Sequence, residues 1–355
     1  MTLAFLFAAA GRAPSVLGVR FDVNIYSLCV ITFALAFILC LLLTPLIIRL
    51  AVHLGHFDVP DGRRRSHDTP TPRIGGIAIY VAFMLALFTT LSVALTHNVV
   101  ISRYLDNPDL ARIIGLLFGG TLMLGVGLWD DLMTIRARNK FLAQLVVSLI
   151  AVVFYGFTIY HLRLPFGLVE LGWFGIPFSL FWYLGMVNAI NFLDGLDGLV
   201  AGYTVIACAA LTVIALLKGQ YLVAITTCAI GGAAAGFLPY NFSPARIFMG
   251  DGGALFIGFV LATVGVMGIL KQAVAISLVV PLLILALPIL DTAKVIARRL
   301  HSGAPLAAAD RGHVHHQLLD LGLSPRQAVL LIYAVCGVLG VIAVVLSLPR
   351  GPHIF

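Results

Sequence analysis

Along this chain, long apolar runs alternate with short polar islands. Apolar runs fall at roughly 27–49, 74–95, 111–128, 141–160, 176–190, 199–217, 221–239, 253–270, 273–297 and 327–348. About 20 apolar residues, rising 1.5 Å each, cross the hydrocarbon of a bilayer as a helix. The pattern therefore predicts an all-α polytopic membrane protein of about ten transmembrane helices, forming one domain over 1–355. The run 176–190 is short for a full crossing. Ten crossings put both termini on one side. Alternation then sorts the connections into two sets. One holds 50–73, 129–140, 191–198, 240–252 and 298–326; the other holds both termini with 96–110, 161–175, 218–220 and 271–272. The longest connections, about 25 residues, are too short to build a soluble core.

Composition agrees: 61% of residues are hydrophobic and 10% charged, more apolar surface than a soluble fold can cover. The net charge is +7, and its placement carries the information. Of 22 Lys and Arg, 14 lie at or beside the first set of connections, so the positive-inside rule makes that face cytoplasmic and both termini external. Acidic residues are 14 Asp and one Glu (Glu170), and 11 of these 15 share the same face. Carboxylates contribute little to topology, so this second bias has a functional cause. The basic charge marks orientation, and nucleic acid is excluded as a partner. Cys29, Cys40, Cys208, Cys228 and Cys336 all fall in apolar runs without a CxxC pair, which implies neither disulfide nor zinc. The first twenty residues carry Arg12 and Arg20 around a short apolar piece, unlike a cleavable signal peptide.

Five polar islands on the basic face carry the chemistry. An aspartate at a helix centre in the bilayer costs roughly 2.5–3.5 kcal/mol, so such residues either return to water or are used. Asn188, Asn191, Asp194 and Asp197 recur every three residues as a polar stripe, and Gly195 and Gly198 beside its two aspartates let a ligand near the backbone. Helix–helix hydrogen bonding in lipid is the plain alternative for the asparagines. Asp130 and Asp131 repel one another unless a cation lies between them; Arg136, Arg138 and Lys140 follow closely. The pair is either a solvated helix end or part of a seat for a divalent cation and phosphates. The connection from Asn241 to Gly253 offers Arg246, Phe248 and Asp251 among glycines just before an apolar run, where free helix N–H groups make an anion seat. A lone Phe at a membrane interface is otherwise ordinary. In the segment Asp310 to His316, the histidines His313, His315 and His316 have no cysteine to complete a tetrahedral zinc set, which leaves phosphate contact, together with Arg311, or plain surface histidines. The segment from Asp58 to Gly76 is basic and proline-rich, suited either to anionic lipid headgroups or to one lipid phosphate.

Together these pieces resemble the polyprenyl-phosphate N-acetylhexosamine-1-phosphate transferases. The shared motifs are HxxPTPRxGG (His67 to Gly76), DD (Asp130-Asp131), NxxNxxDGLDG (Asn188 to Gly198), FMGDGG (Phe248 to Gly253) and HxHH (His313 to His316), in order over about 250 residues. The resemblance implies transfer of a sugar 1-phosphate from a UDP-sugar to undecaprenyl phosphate with release of UMP, dependent on Mg2+ with Mn2+ as a substitute. It implies a multi-pass protein of the bacterial inner membrane with its active site formed by cytoplasmic loops. Carried over by residue, Asp251 and Asn191 are metal ligands. Lys140 and His313, His315 and His316 contact the diphosphate, and Phe248 and Asp197 form the uracil site. Asp130 and Asp131 position or activate the lipid phosphate. Asp194 joins the catalytic set, and Asn188, Arg311 and Arg73 the substrate-binding one. Within the family, RxHxHH followed by Gln317 resembles the GlcNAc-1-phosphate branch. UDP-MurNAc-pentapeptide or a deoxy-HexNAc donor is the alternative, and monomer and homodimer both stay open. A secondary transporter would carry ionisable groups near mid-bilayer and an internal repeat. Neither is present, since Asp291 lies near a helix end.

Overall fold

A computed structural model describes residues 24–55, 57–58, 71–96, 107–164, 167–270, 286–302 and 314–348. The helices are α1 Ile25–Leu54, α2 Gly76–Thr96, α3 Asn107–Met133, α4 Ala137–Phe154, α5 Gly175–Leu193, α6 Leu199–Leu217, α7 Tyr221–Asn241, α8 Gly250–Leu270, α9 Ala286–Ser302, α10 Val314–Asp320 and α11 Pro325–Ser347. Strands β1 Phe57–Asp58 and β2 Thr71–Pro72 pair antiparallel, as do β3 His161–Leu164 and β4 Gly167–Glu170.

Among the described residues, nine helices, α1–α8 and α11, are long and apolar enough to cross a membrane. All nine lie on predicted runs. The run read as short, 176–190, belongs to a 22-residue span from Gly172 to Leu193, because Gly172–Phe174 adds a 3-10 turn before α5. The remaining expected span, 273–297, falls partly outside the described residues. Its second half lies in α9, which carries Lys294, Arg298 and Arg299.

Local signals set the helix ends. Asn24 caps α1 by accepting from the Ser27 N–H at 2.8 Å. Gly55 closes α1 at φ 69°, a conformation that favours glycine. Pro325 opens α11 behind a reciprocal capping box between Ser324 and Gln327.

Helix α8 forms the centre. Its residues are apolar on all sides, which suits a helix surrounded by others, and α2, α3, α5, α6 and α7 pack around it. The indole N–H of Trp182 donates to the Ala262 carbonyl at 3.0 Å, and the Tyr183 hydroxyl donates to Thr263 Oγ1 at 3.0 Å. Both bonds join α5 to α8 inside the apolar bundle, where water offers no competing partner. Rings of Tyr80 and Phe83 from α2 meet Phe256 edge-on at 5.4 Å. Helix α8 is thus fixed along its length, and what it presents at its N-terminal end is fixed with it.

Candidate active site

The ends of α3, α4, α5 and α8 meet in a tight polar cluster. Asp130 and Asp131 come from the last turns of α3, Lys140 from the first turn of α4, Asn191 from the end of α5 and Asp251 from the start of α8. The Lys140 ammonium lies among three oxygens. It donates to Asp130 Oδ2 at 3.0 Å and Asn191 Oδ1 at 3.2 Å, and it pairs with Asp251 Oδ2. The Asn191 amide donates to Asp251 Oδ1 at 3.1 Å. Arg73, from the chain just after β2, lies 3.3 Å from both Asp131 Oδ1 and Asp251 Oδ1. Three carboxylates thus share two cations, which offsets their mutual repulsion and their burial.

The backbone that carries Asp251 is built by close approach. Gly75 and Gly76 donate N–H to the carbonyls of Phe248 and Met249 at 3.0 and 2.8 Å, and Phe248 N–H donates to the Pro72 carbonyl at 2.8 Å. The 71–76 and 248–250 segments therefore run alongside each other as a short ladder. Gly250 sits at φ 73°, and a Cβ there would lie 2.1 Å from the Arg73 carbonyl oxygen. This is one place where the glycine-rich sequence is dictated by contact.

The expected anion seat at the start of α8 is corrected. The Asp131 carboxylate already fills it: Oδ1 accepts from the Asp251 N–H at 2.9 Å and Oδ2 from the Gly252 N–H at 2.8 Å. The free donors of that helix end are satisfied by the protein's own anion.

Other predicted residues lie around the cluster. Asp194 ends α5, partly buried, with its carboxyl pushed up to about 7 by burial and, next, by the negative charge of Asp251. Asp197 accepts from the Ala245 N–H at 3.0 Å, joining the DGLDG turn to the 242–249 connection. The same connection is clamped by Asn241, which accepts from Gly198 N–H at 3.1 Å and donates to the Ile247 carbonyl at 3.0 Å. Phe248 is half-buried within the ladder.

Asn188 lies one turn deeper than Asn191 and outside the cluster. It donates to Gln144 Oε1 at 2.9 Å and to the Leu184 carbonyl at 2.8 Å, the helix–helix role its spacing also allowed. His315 and His316 belong to α10, and their side chains, like all of Arg311 and His313, fall outside the described residues. The Val314 N–H at the start of α10 donates to Asp291 Oδ1 of α9 at 2.8 Å.

Sequence reasoning missed the capping by Asp131, the double pairing of Arg73 and the Asn241 clamp. Arg73 stands inside a quoted motif and Asn241 opens the connection that carries another, yet neither placement names a partner.

The donor set fits a hard divalent cation. The oxygens of Asp130, Asn191 and Asp251 already surround an ammonium, and amide and carboxylate oxygens are the ligands Mg2+ takes. No group of three His, Cys, Asp or Glu side chains suited to a metal occurs among the described residues.

Known proteins share long stretches of this chain. Residues 113–269 match the family described as glycosyl transferase family 4. The chain is 35% identical over 320 residues to a probable undecaprenyl-phosphate N-acetylglucosaminyl 1-phosphate transferase of Bacillus subtilis, covering 90% of this chain and 85% of that one. It is 34% identical over 299 residues to a decaprenyl-phosphate N-acetylglucosaminephosphotransferase of Mycobacterium leprae, covering 78% and 73%. It is 36% identical over 252 residues to a phospho-N-acetylmuramoyl-pentapeptide-transferase of Listeria monocytogenes, covering 66% and 74%. With nine apolar helices among the described residues, four of them meeting at one acidic and basic cluster, and relatives alike across most of its length, the chain belongs to the polyprenyl-phosphate N-acetylhexosamine-1-phosphate transferase family.

Proposed function

We propose that the protein transfers N-acetylglucosamine 1-phosphate from UDP-GlcNAc to undecaprenyl phosphate on the cytoplasmic face of the bacterial membrane, releasing UMP. The observation that carries this is the meeting of Asp130, Lys140, Asn191, Asp251 and Arg73 at the ends of four helices and the chain before α2. A diphosphate and a lipid phosphate are both anions, and bringing them together requires cations held in a fixed place.

An oxygen of the lipid phosphate attacks the sugar-bearing phosphorus of the UDP-sugar. The new P–O bond forms as the bond to the bridging oxygen of UMP breaks, and UMP leaves with that oxygen. The attacking phosphate is already ionised, so alignment and charge screening supply most of the catalysis. Asp251 and Asn191 hold Mg2+, which when bound screens the diphosphate charge. Lys140 and Arg73 contact phosphate oxygens, and Asp130 orients Lys140. Phe248 and Asp197 border the uracil, and the resemblance assigns diphosphate contact to His313, His315 and His316 and substrate binding to Arg311. Relatives named for N-acetylglucosamine and for the muramoyl-pentapeptide both match, and the wider coverage of the former favours GlcNAc.

Purified protein in detergent, given undecaprenyl phosphate, Mg2+ and a panel of UDP-sugars, tests this. UMP release with UDP-GlcNAc is expected, and EDTA is expected to stop it reversibly. Release with UDP-MurNAc-pentapeptide alone, or full activity in EDTA, contradicts the sugar or the metal assignment respectively.

A further inference from the structure

We propose that Asp131 is a positioning residue that holds Asp251 on aim, and that Asp130 alone of the acidic pair faces the reacting groups. The inference rests on the reading of Asp251 as the metal-binding carboxylate. The two neighbours in sequence have opposite surroundings. The Asp131 side chain is 1% exposed, and both its oxygens are engaged by the first-turn N–H groups of Asp251 and Gly252, with Arg73 Nε 3.3 Å from Oδ1. A buried carboxylate whose two oxygens are held by two backbone donors and a guanidinium has no open path to a lipid phosphate. Asp130 binds the Ile135 N–H at 2.9 Å through Oδ1, and its Oδ2 faces the Lys140 ammonium at the centre of the cluster.

The start of α8 needs such a lock. Gly250, Gly252 and Gly253 give this turn no side chains to pack, and Gly250 has a left-handed backbone. The first N–H groups of a helix have no partner within it, so they fray unless another group accepts from them. Asp131 reaches across from α3 and accepts from the N–H of Asp251 itself, so it fixes the Cα from which the Asp251 side chain projects. Its charge also opposes the positive end of the α8 dipole. Loss of Asp131 frees the turn and leaves Arg73 to pair with Asp251 alone, in competition with a metal ion.

Two measurements on purified full-length protein decide it. Manganese titration followed by electron paramagnetic resonance is expected to show Asp131→Asn binding Mn2+ roughly 10–100-fold more weakly than the wild type, the usual loss when a group supporting a ligand is removed. Lost turnover with Mn2+ affinity within about twofold of wild type makes Asp131 a reacting group instead, and overturns the proposal. Hydrogen–deuterium exchange of the Gly250–Gly253 segment in the wild type needs no variant. Exchange is expected to be slow without ligands and to stay slow with Mn2+, UDP-GlcNAc and undecaprenyl phosphate. Faster exchange on adding undecaprenyl phosphate means that Asp131 leaves α8 for the lipid, and also overturns it. A wild type that binds no Mn2+ removes the metal reading of Asp251, and the exchange result then decides the role of Asp131 by itself.

Discussion

Lys140 neutralises oxygens from three helices, so its removal has two separable effects. Lys140→Met takes away a cation that competes with a metal for Asp130 and Asp251, and is expected to tighten Mn2+ binding. The same change removes a phosphate contact and is expected to lower UMP release by roughly 10²–10³-fold. Weaker Mn2+ binding in this variant contradicts the arrangement. Asp194 gives a pH signature. Its carboxyl titrates at about 7 in the folded protein and at about 4 when unfolded. Folding therefore favours its protonated form, and the stability associated with it is lost as pH rises from about 4 through 7. Thermal unfolding in EDTA is expected to show Asp194→Asn with a flatter pH dependence over that window and a higher Tm than wild type above pH 7. A lower Tm there removes the burial account. At this scale the sequence singles out Asp130, Asp131, Asn191 and Asp251, which the structure brings together, but not their partners. Asp131 is legible as half of an acidic pair. Its bonds go to backbone N–H groups 120 and 121 residues away, and every residue has such a group, so no pattern of residue types announces it.

Helices α2 and α3 come so near to α8 that glycine is required at the contacts. A Cβ at Gly127 would lie 2.4 Å from Gly252 Cα and from the Asp251 carbonyl oxygen, while one at Gly125 meets nothing within 4 Å. Gly127→Ala is expected to destabilise by about 1–3 kcal/mol through overpacking and to cut turnover by displacing Asp251. Gly125→Ala, two residues away, is expected to keep wild-type Tm and activity. Equal effects from both would contradict the close-approach reading. The spans themselves were legible because run length alone specifies a crossing, as for 199–217, which is α6 to the residue. The run 176–190 stops short of its helix because Asn188 and Asn191 interrupt the apolar pattern, although helical hydrogen bonding continues through Leu193. The 273–297 run passes into the charged second half of α9, where a count of apolar residues loses its meaning.

Across the whole molecule, the C-terminal ends of α3, α5 and α7 and the N-terminal ends of α2, α4, α6 and α8 carry the site contacts described above. Alternating direction places these ends on one face, which is why connections far apart in sequence build one cluster. The β3–β4 hairpin and the 83%-exposed Trp173 lie between the other ends of α4 and α5. Arg138 and Arg246 are exposed on the cluster face. In intact cells, Arg138→Cys and Arg246→Cys are expected to react with a membrane-permeant maleimide and resist an impermeant one, and Trp173→Cys to react with both. Labelling of Arg138→Cys and Arg246→Cys from opposite sides would break the shared site apart. The central claim is that the Asp251 carboxylate serves metal-dependent transfer, and UMP release by wild type and Asp251→Asn from UDP-GlcNAc and undecaprenyl phosphate with Mg2+ tests it most directly. The account predicts Mg2+-dependent turnover in the wild type and a loss of roughly 100-fold or more in the variant; near-normal turnover by Asp251→Asn contradicts it.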